Sequence, residues 1–283
     1  MPAPMPAQMP TTPAGIAPAA GPRSPYIRVR AVLAAEWIKL RSLRSMLVTV
    51  ALAALFCVGL AALVCSNYTA NWNRFSTAKQ AAFDPLDVDF GFVQIGTLFF
   101  GVLGALVVTN EYGNGLIRTT FAATPQRGLV LAAKTALLGL LALVASAGIC
   151  LTAFFAGQSL LSAPVPHVRL SDPGVLGRVI GAVSYLTGVG LIGVFAGVLA
   201  RSTAVAMSAV FGVFLVLPTM VNSLPHGAVW QHTVPYLPSN MGNALWHSHT
   251  GGLVSPVVAT FTFPVYVLAL GAAGMLVLRH RDA

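Results

Sequence analysis

Residues 45–65 read SMLVTVALAALFCVGLAALVC, an apolar stretch without a charged side chain. A helix that crosses the hydrocarbon core of a bilayer needs about 20 such residues. The stretch therefore predicts a membrane-spanning helix. It starts too late and runs too long for a cleaved signal peptide, so we expect it to remain in the mature protein.

Apolar stretches of this kind recur along the chain, at residues 91–108, 129–156, 177–199, 204–221 and 255–278. The chain has 283 residues, of which 56% are hydrophobic and 8% charged. Soluble domains carry roughly a quarter charged residues, and no water-soluble fold hides this much apolar surface. The sequence predicts an all-α polytopic membrane protein with six transmembrane helices and one membrane domain.

The residues before the first span divide into two parts. Residues 1–25 are rich in Pro and Ala without apolar periodicity, which predicts a disordered tail. Residues 26–44 carry apolar side chains at helical spacing and basic side chains beside them. This pattern predicts an amphipathic helix on the membrane surface, with its Lys and Arg side chains near anionic headgroups.

The positive charges indicate the orientation, because short loops rich in Lys and Arg stay in the cytoplasm. Twelve Lys and Arg residues fall on the side of the N-terminus and four on the other. Both termini are therefore expected in the cytoplasm, which requires an even number of spans. The formal charge of +9 is spread between apolar segments and forms no basic arm, so nucleic acid is not an expected partner.

The acidic residues are expected outside the spans, in the tail, in loops or at helix ends: Glu36, Asp84, Asp87, Asp89, Glu111, Asp172 and Asp282. Secondary transporters usually carry ionisable groups within the membrane as proton or sodium relays. Without such a relay, the energy for transport has to come from another source.

The loop at residues 110–120, NEYGNGLIRTT, is the most polar segment between spans, and it continues to Pro125 and Arg127. Its glycines permit tight backbone turns. Two interpretations stay open from composition: a small surface helix that meets a cytoplasmic partner, or an ordinary polar turn.

This loop resembles the first cytoplasmic loop of ABC-2 type permeases, in a version common among actinobacteria, through Glu111, Gly115, Ile117, Arg118, Thr119, Thr120, Pro125 and Arg127. Leu116 departs from the Thr or Met that is more usual there. Residues 35–42, AEWIKLRS, are similar to the N-terminal elbow helix of the same family. The resemblance covers residues 26–281, so that an elbow helix at 26–44 would precede the six spans.

The resemblance implies the membrane-spanning permease subunit of an ATP-binding cassette exporter in the cell membrane. Coupling to a separate ATPase subunit, which binds ATP and Mg, would involve residues of the loop and of the elbow helix: Glu111, Tyr112, Gly115, Arg118, Thr119 and Thr120, with Glu36, Trp37, Lys39 and Arg41. The family forms dimers, so a homodimer or a heterodimer with a similar permease is expected. The permease itself would be no enzyme and would bind no cofactor.

Two other classes of protein are alternatives to a permease subunit. An ion-coupled secondary transporter or channel is the alternative, disfavoured by the expected lack of acids in the spans. An intramembrane enzyme lacks support, because the chain has no Gly-x-Ser-x-Gly or His-Glu-x-x-His motif. The phosphate-loop candidate GLVLAAKT at residues 128–135 has Ala133 in place of the second Gly and opens a span, so it is taken as coincidence.

Glu36 lies on the apolar side of the predicted surface helix, where an unpaired carboxylate is costly. Its candidate partners are Lys39, one turn later, and Arg118 of the loop. The second pairing would join the elbow helix to the loop. Both pairings stay open from the sequence.

Other candidate features have simpler structural explanations. The outward histidines have no carboxylate in their own segment, so no metal site is predicted from His226, His232, His247 and His249. Gly177 with Gly181, and Gly193 with Gly197, allow close helix packing. Pro218 and Pro264 are candidates for helix kinks. The substrate is not identified by any of these residues.

Overall fold

The computed structural model describes residues 25–42, 44–116, 120, 126–223, 227, 232–247 and 254–280. In these residues the regular structure is helical, and no strand occurs. Within the same ranges, six helices are long and apolar enough to cross a membrane. The predicted all-α polytopic fold is confirmed.

The helices have the following bounds: α1 Pro25–Ser42, α2 Arg44–Asn71, α3 Thr77–Ala81, α4 Pro85–Asp89, α5 Val93–Gly113, α6 Arg127–Leu160, α7 Val175–Ala200, α8 Thr203–Phe211, α9 Leu217–Asn222, α10 Pro238–Asn243 and α11 Pro256–His280. A 3-10 turn, Phe90–Phe92, joins α4 to α5, and a π-helical turn, Gly212–Val216, joins α8 to α9. The candidate spans are α2, α4 with α5, α6, α7, α8 with α9, and α11.

The second span starts earlier than the sequence analysis expected. Asp84 caps α4, since its Oδ1 accepts hydrogen bonds from the backbone N–H groups of Leu86 and Asp87 at 2.8 and 3.1 Å. Pro85 stands at the first helical position, where its fixed φ favours the helix. The helical segment therefore runs from Pro85 to Gly113 and includes Asp87, Asp89 and Glu111. The expectation that every acid lies outside the spans is wrong.

Helices α5 and α7 pack against each other at the centre of the bundle, with the other spans around them. Their backbones come close because glycines line the contact: a Cβ at Gly193 would overlap the carbonyl oxygen of Gly101, and one at Gly104 would overlap that of Gly190. Gly197 faces Ala105 in the same contact. Of the other predicted pair, Gly181 packs on Leu245, but Gly177 has open space.

Pro218 interrupts the hydrogen bonds of the fifth span, as a proline inside a helix must. The π-helical turn ends two residues before Pro218, and the N–H of the intervening Leu217 donates to the carbonyl of Gly212. The carbonyl of Phe214, four residues before Pro218, accepts a bond from the Gln94 side chain of α5 at 3.3 Å. A neighbouring span thus supplies the donor that the proline removes.

We call the end of the bundle with α1, the end of α5 and the start of α6 the elbow face, and the opposite end, with α4, the end of α6 and the start of α7, the far face. Connections between consecutive spans alternate between the two faces. Each face carries its own group of charged side chains.

Candidate functional site

Four charged side chains from three helices meet inside the elbow face. They are Glu36 and Lys39 of α1, Glu111 of α5 and Lys134 of α6, and Thr120 joins them through its hydroxyl. We call these five residues the elbow cluster. Two carboxylates and two ammonium groups balance in charge, which makes their burial tolerable.

Glu36 is the α1 member of the cluster and is 1% exposed. It lies on a buried stripe of α1 between Val32 and Leu40, one helical turn away on either side. Trp37, by contrast, is 48% exposed and lies off this stripe. The carboxylate of Glu36 faces the bundle because the apolar neighbours on its stripe pack there.

Two ammonium groups bind Glu36. Lys39 Nζ lies 2.8 Å from its Oε1, which is the local pairing that the sequence suggested. Lys134 Nζ lies 2.6 Å from its Oε2. Arg118, the other sequence candidate, lies outside the described residues. The structure therefore adds a partner from a different span.

Lys134 is the residue that sequence reasoning missed, because it was read as a topology signal. It is 4% exposed and lies in α6, two turns after the helix begins at Arg127. It also binds Glu111 Oε1 at 2.8 Å. The signal that pointed to it was a single lysine on the same helical face as Val130 and Leu138, both of which are buried. A charged side chain on a buried face requires a partner.

Glu111 joins the loop to the cluster from the last turn of α5. Its Oε1 also lies 3.2 Å from Lys39 Nζ, and in the part of the chain that the structure describes its Oε2 has no hydrogen-bond partner. After α5 ends, Gly115 has a φ of +68°, which favours glycine. Lys39 donates to the Thr120 hydroxyl at 3.0 Å, and this hydroxyl donates to the Leu116 carbonyl at 2.9 Å.

Burial and charge act in opposite directions on the α1 pair. Burial alone would raise the pKa of Glu36, but Lys134 and Lys39 together hold it below its ordinary value. Burial alone would lower the pKa of Lys39, but Glu36 and Glu111 hold it above its ordinary value. Both groups are therefore charged at neutral pH, and both favour the packed cluster.

The remaining sequence candidates lie around the cluster or outside the described residues. Tyr112 is half-buried, with the guanidinium of Arg201 5.6 Å from its ring centre. Arg41 is exposed on α1. Thr119, like Arg118, is outside the described ranges. The structure thus brings Glu36, Lys39, Glu111 and Thr120 together, and leaves Trp37 and Arg41 at the surface.

A second charged group lies at the far face. Arg178 of α7 binds the Asp84 carboxylate at 3.0 and 3.1 Å, donates to the Trp246 carbonyl at 2.7 Å and makes a short ion pair with Asp87. His247 Nδ1 lies 3.0 Å from Asp87 Oδ2, so a carboxylate from another segment stands beside this histidine. Among the described residues no group of three or more His, Cys, Asp or Glu could hold a metal ion. His226 and His249 lie outside those residues.

The elbow cluster links α1 to two spans through charged side chains. It contains no nucleophile beside a general base; its chemistry is ion pairing, and what it does is to hold α1, α5 and α6 in one arrangement. Six apolar helices fit a membrane transport protein. No protein-family model matches the chain, and no curated protein matches it.

Proposed function

We propose that this chain is the permease subunit of an ATP-binding cassette exporter of the ABC-2 type. It would move a substrate outward across the cell membrane, with both termini in the cytoplasm, using ATP hydrolysed with Mg on a separate ATPase subunit. The single observation that carries the proposal is the elbow cluster. A transporter driven from one face needs a rigid link between its surface elements and its spans.

The cluster has the properties of such a link. Lys134 binds α1 through Glu36 and the end of α5 through Glu111, at 2.6 and 2.8 Å. A buried charge that loses its partner is strongly destabilised. A displacement of α1 or of the end of α5 therefore has to carry α6 with it, because separation would leave an ammonium or a carboxylate unpaired.

The loop after α5 is the proposed contact for the ATPase. Thr120 connects this loop to Lys39, so that a force on the loop reaches α1 as well as α5. We assign Arg118 and Thr119 of the loop, with exposed Arg41 of α1, to the surface that meets the ATPase. The resemblance of residues 26–281 to ABC-2 type permeases supports a dimer of two such permeases.

The experiment is affinity purification of the tagged full chain in mild detergent, with mass spectrometry of co-purifying proteins and an ATPase assay. We expect a phosphate-loop ATPase to co-purify with the wild-type chain. Arg118→Ala should lose that subunit, because it removes a proposed contact. Lys134→Met should retain the subunit but lose coupling, measured as ATPase activity that no longer changes on reconstitution into a bilayer.

Lys79→Met is the matched control, since Lys79 is exposed and lies outside the cluster. Its complex and its ATPase activity should equal those of the wild type. If the wild-type chain purifies without an ATPase even after crosslinking in membranes, the exporter proposal fails.

An ion-coupled secondary transporter or channel is a second candidate because one observation favours it. Asp89 is a fully buried carboxyl within the second span, so the sequence argument against ion coupling does not hold. Transport that survives ATP depletion and follows an ion gradient would establish this class in place of the exporter.

A further inference from the structure

Asp89 differs from the other acidic residues of its segment. It ends α4 at the far face, where the side chain packs between α2 and α6 and is 0% exposed. Its Oδ1 lies directly over the backbone of Gly157 in α6, so closely that a Cβ there would overlap the oxygen. The carboxyl is thus enclosed by helix backbone and side chains.

The hydrogen bonds of Asp89 come from a neutral group. Gln158 Nε2 donates to Oδ2 at 3.1 Å, and Oδ1 has no hydrogen-bond partner. The titratable side chains that face it are two thiols, Cys65 of α2 and Cys150 of α6. In the described part of the chain, no Lys, Arg or His side chain forms an ion pair with it.

Asp84 and Asp87 provide the comparison within the same segment. Both bind Arg178, and Asp87 also lies beside His247, so their charge is compensated. An isolated carboxylate in an apolar interior is so unfavourable that the group takes up a proton instead. Three acids within six residues therefore have two environments, of which only that of Asp89 is suited to a neutral carboxyl.

We propose that Asp89 is a proton-binding site, whose carboxyl holds a proton while the far ends of α2, α4 and α6 are packed together. Oδ2 accepts the bond from Gln158, and the proton lies on Oδ1, the oxygen left without a donor. Separation of α4 from α6 would expose the carboxyl to water and release this proton.

Gln158 connects the site to the loop that follows α6. Its Oε1 accepts a hydrogen bond from the backbone N–H of Val168 at 2.9 Å, while its Nε2 donates to Asp89 Oδ2. Loss of the proton from Asp89 would therefore disturb the packing of a far-face loop as well as that of two helix ends. This inference is independent of the energy source for transport.

Infrared spectroscopy of the full chain in lipid nanodiscs tests the proposal. The chain is labelled with aspartate carrying ¹³C in its carboxyl group, which separates Asp89 from the cluster glutamates. At neutral pH we expect one aspartic-acid C=O band at higher frequency than the carboxylate bands. Asp89→Asn should abolish this band, whereas Asp87→Asn should retain it.

A second variant assigns the band even if Asp89→Asn fails to fold. Gln158→Leu removes the donor to Oδ2, so the C=O band should shift to higher frequency as its hydrogen bond is lost. A folded wild-type chain without a protonated aspartate band at neutral pH would overturn the proposal. So would a band that persists in Asp89→Asn, or one that Gln158→Leu leaves unmoved.

Discussion

Lys134 Nζ lies 2.6 Å from Glu36 Oε2, although 98 residues separate the two along the chain. This ion pair fixes α1 against the third span. Because Lys134 also holds Glu111, its loss would leave one buried carboxylate with a single cation and the other with only the longer contact to Lys39. The stability of the elbow face should therefore depend on this one ammonium group.

Replacing Lys134 with Met should destabilise the chain by about 3–5 kcal/mol, the usual cost of removing one partner of a buried pair. The measurement is thermal unfolding in detergent, followed by size-exclusion chromatography. Lys79→Met, an exposed lysine changed in the same way, removes a cation–π contact with Phe75, so its free energy of unfolding should stay within about 1 kcal/mol of wild type.

A compensating variant separates charge from packing. Lys134→Met combined with Glu111→Gln removes one charge of each sign and leaves Glu36 paired with Lys39, so much of the lost stability should return. If the double variant is no more stable than Lys134→Met alone, the loss comes from the shape of the Lys134 side chain and not from an unpaired carboxylate.

The sequence predicted the spans because each is a long apolar stretch, which can be recognised from consecutive residues without knowledge of tertiary contacts. It also placed Glu36 on the inner face of α1 and offered Lys39 as a partner. Lys134 and Asp89 were missed because their meaning depends on contacts between spans. A lysine near a span end reads as a topology signal until a carboxylate from α1 is found beside it.

The position of Asp89 depends on a short capping signal. Asp84 followed by Pro85 is a helix start, and it places the beginning of the second span before Asp89. The search for long apolar stretches finds residues 91–108 and does not detect this start. The enclosure of Asp89 by Gly157 and Gln158 depends on the packing of α6, which no local pattern specifies.

Acid should weaken the elbow cluster through Glu36. Lys134 and Lys39 hold the pKa of Glu36 below its ordinary value against the opposing effect of burial. The Glu36 carboxylate therefore stabilises the fold at pH values above the range in which a glutamate usually titrates. This stabilisation is lost as the pH falls through the pKa of the folded chain. We expect the unfolding temperature to fall on acidification, with a shallower fall for Glu36→Gln. Equal slopes would contradict the prediction.

Alkali should weaken the same cluster through Lys39. Glu36 and Glu111 raise the pKa of Lys39 against the opposing effect of burial. The stability that Lys39 contributes is therefore complete at pH values below the range in which a lysine usually titrates. It is lost as the pH rises through the pKa of Lys39 in the folded chain. Lys39→Met should remove that alkaline fall in unfolding temperature. Arg41→Met, an exposed change on the same helix, should leave the fall intact.

The close contact between α5 and α7 should make Gly193 intolerant of a side chain. Gly193→Ala would place a Cβ against the Gly101 carbonyl and force the two central spans apart, at a cost of about 1–3 kcal/mol or more. Gly177→Ala is the control on the same helix, since a Cβ there meets nothing within 4 Å. Unfolding temperatures in detergent compare the two. Because Ala is a better helix former than Gly, Gly177→Ala should lose no stability. A Gly193→Ala chain as stable as Gly177→Ala would contradict the prediction.

Gln94 and Pro218 should be coupled, because the Gln94 side chain binds the Phe214 carbonyl that the proline leaves without its helical donor. Gln94→Met should cost about 0.6 kcal/mol, the average for a hydrogen bond between membrane helices. In a Pro218→Ala background the helix itself can supply an N–H to Phe214, so the same change should cost less. A double-mutant cycle measured by unfolding in detergent gives the coupling. Additive effects would mean that Gln94 stabilises α5 without compensating for the proline.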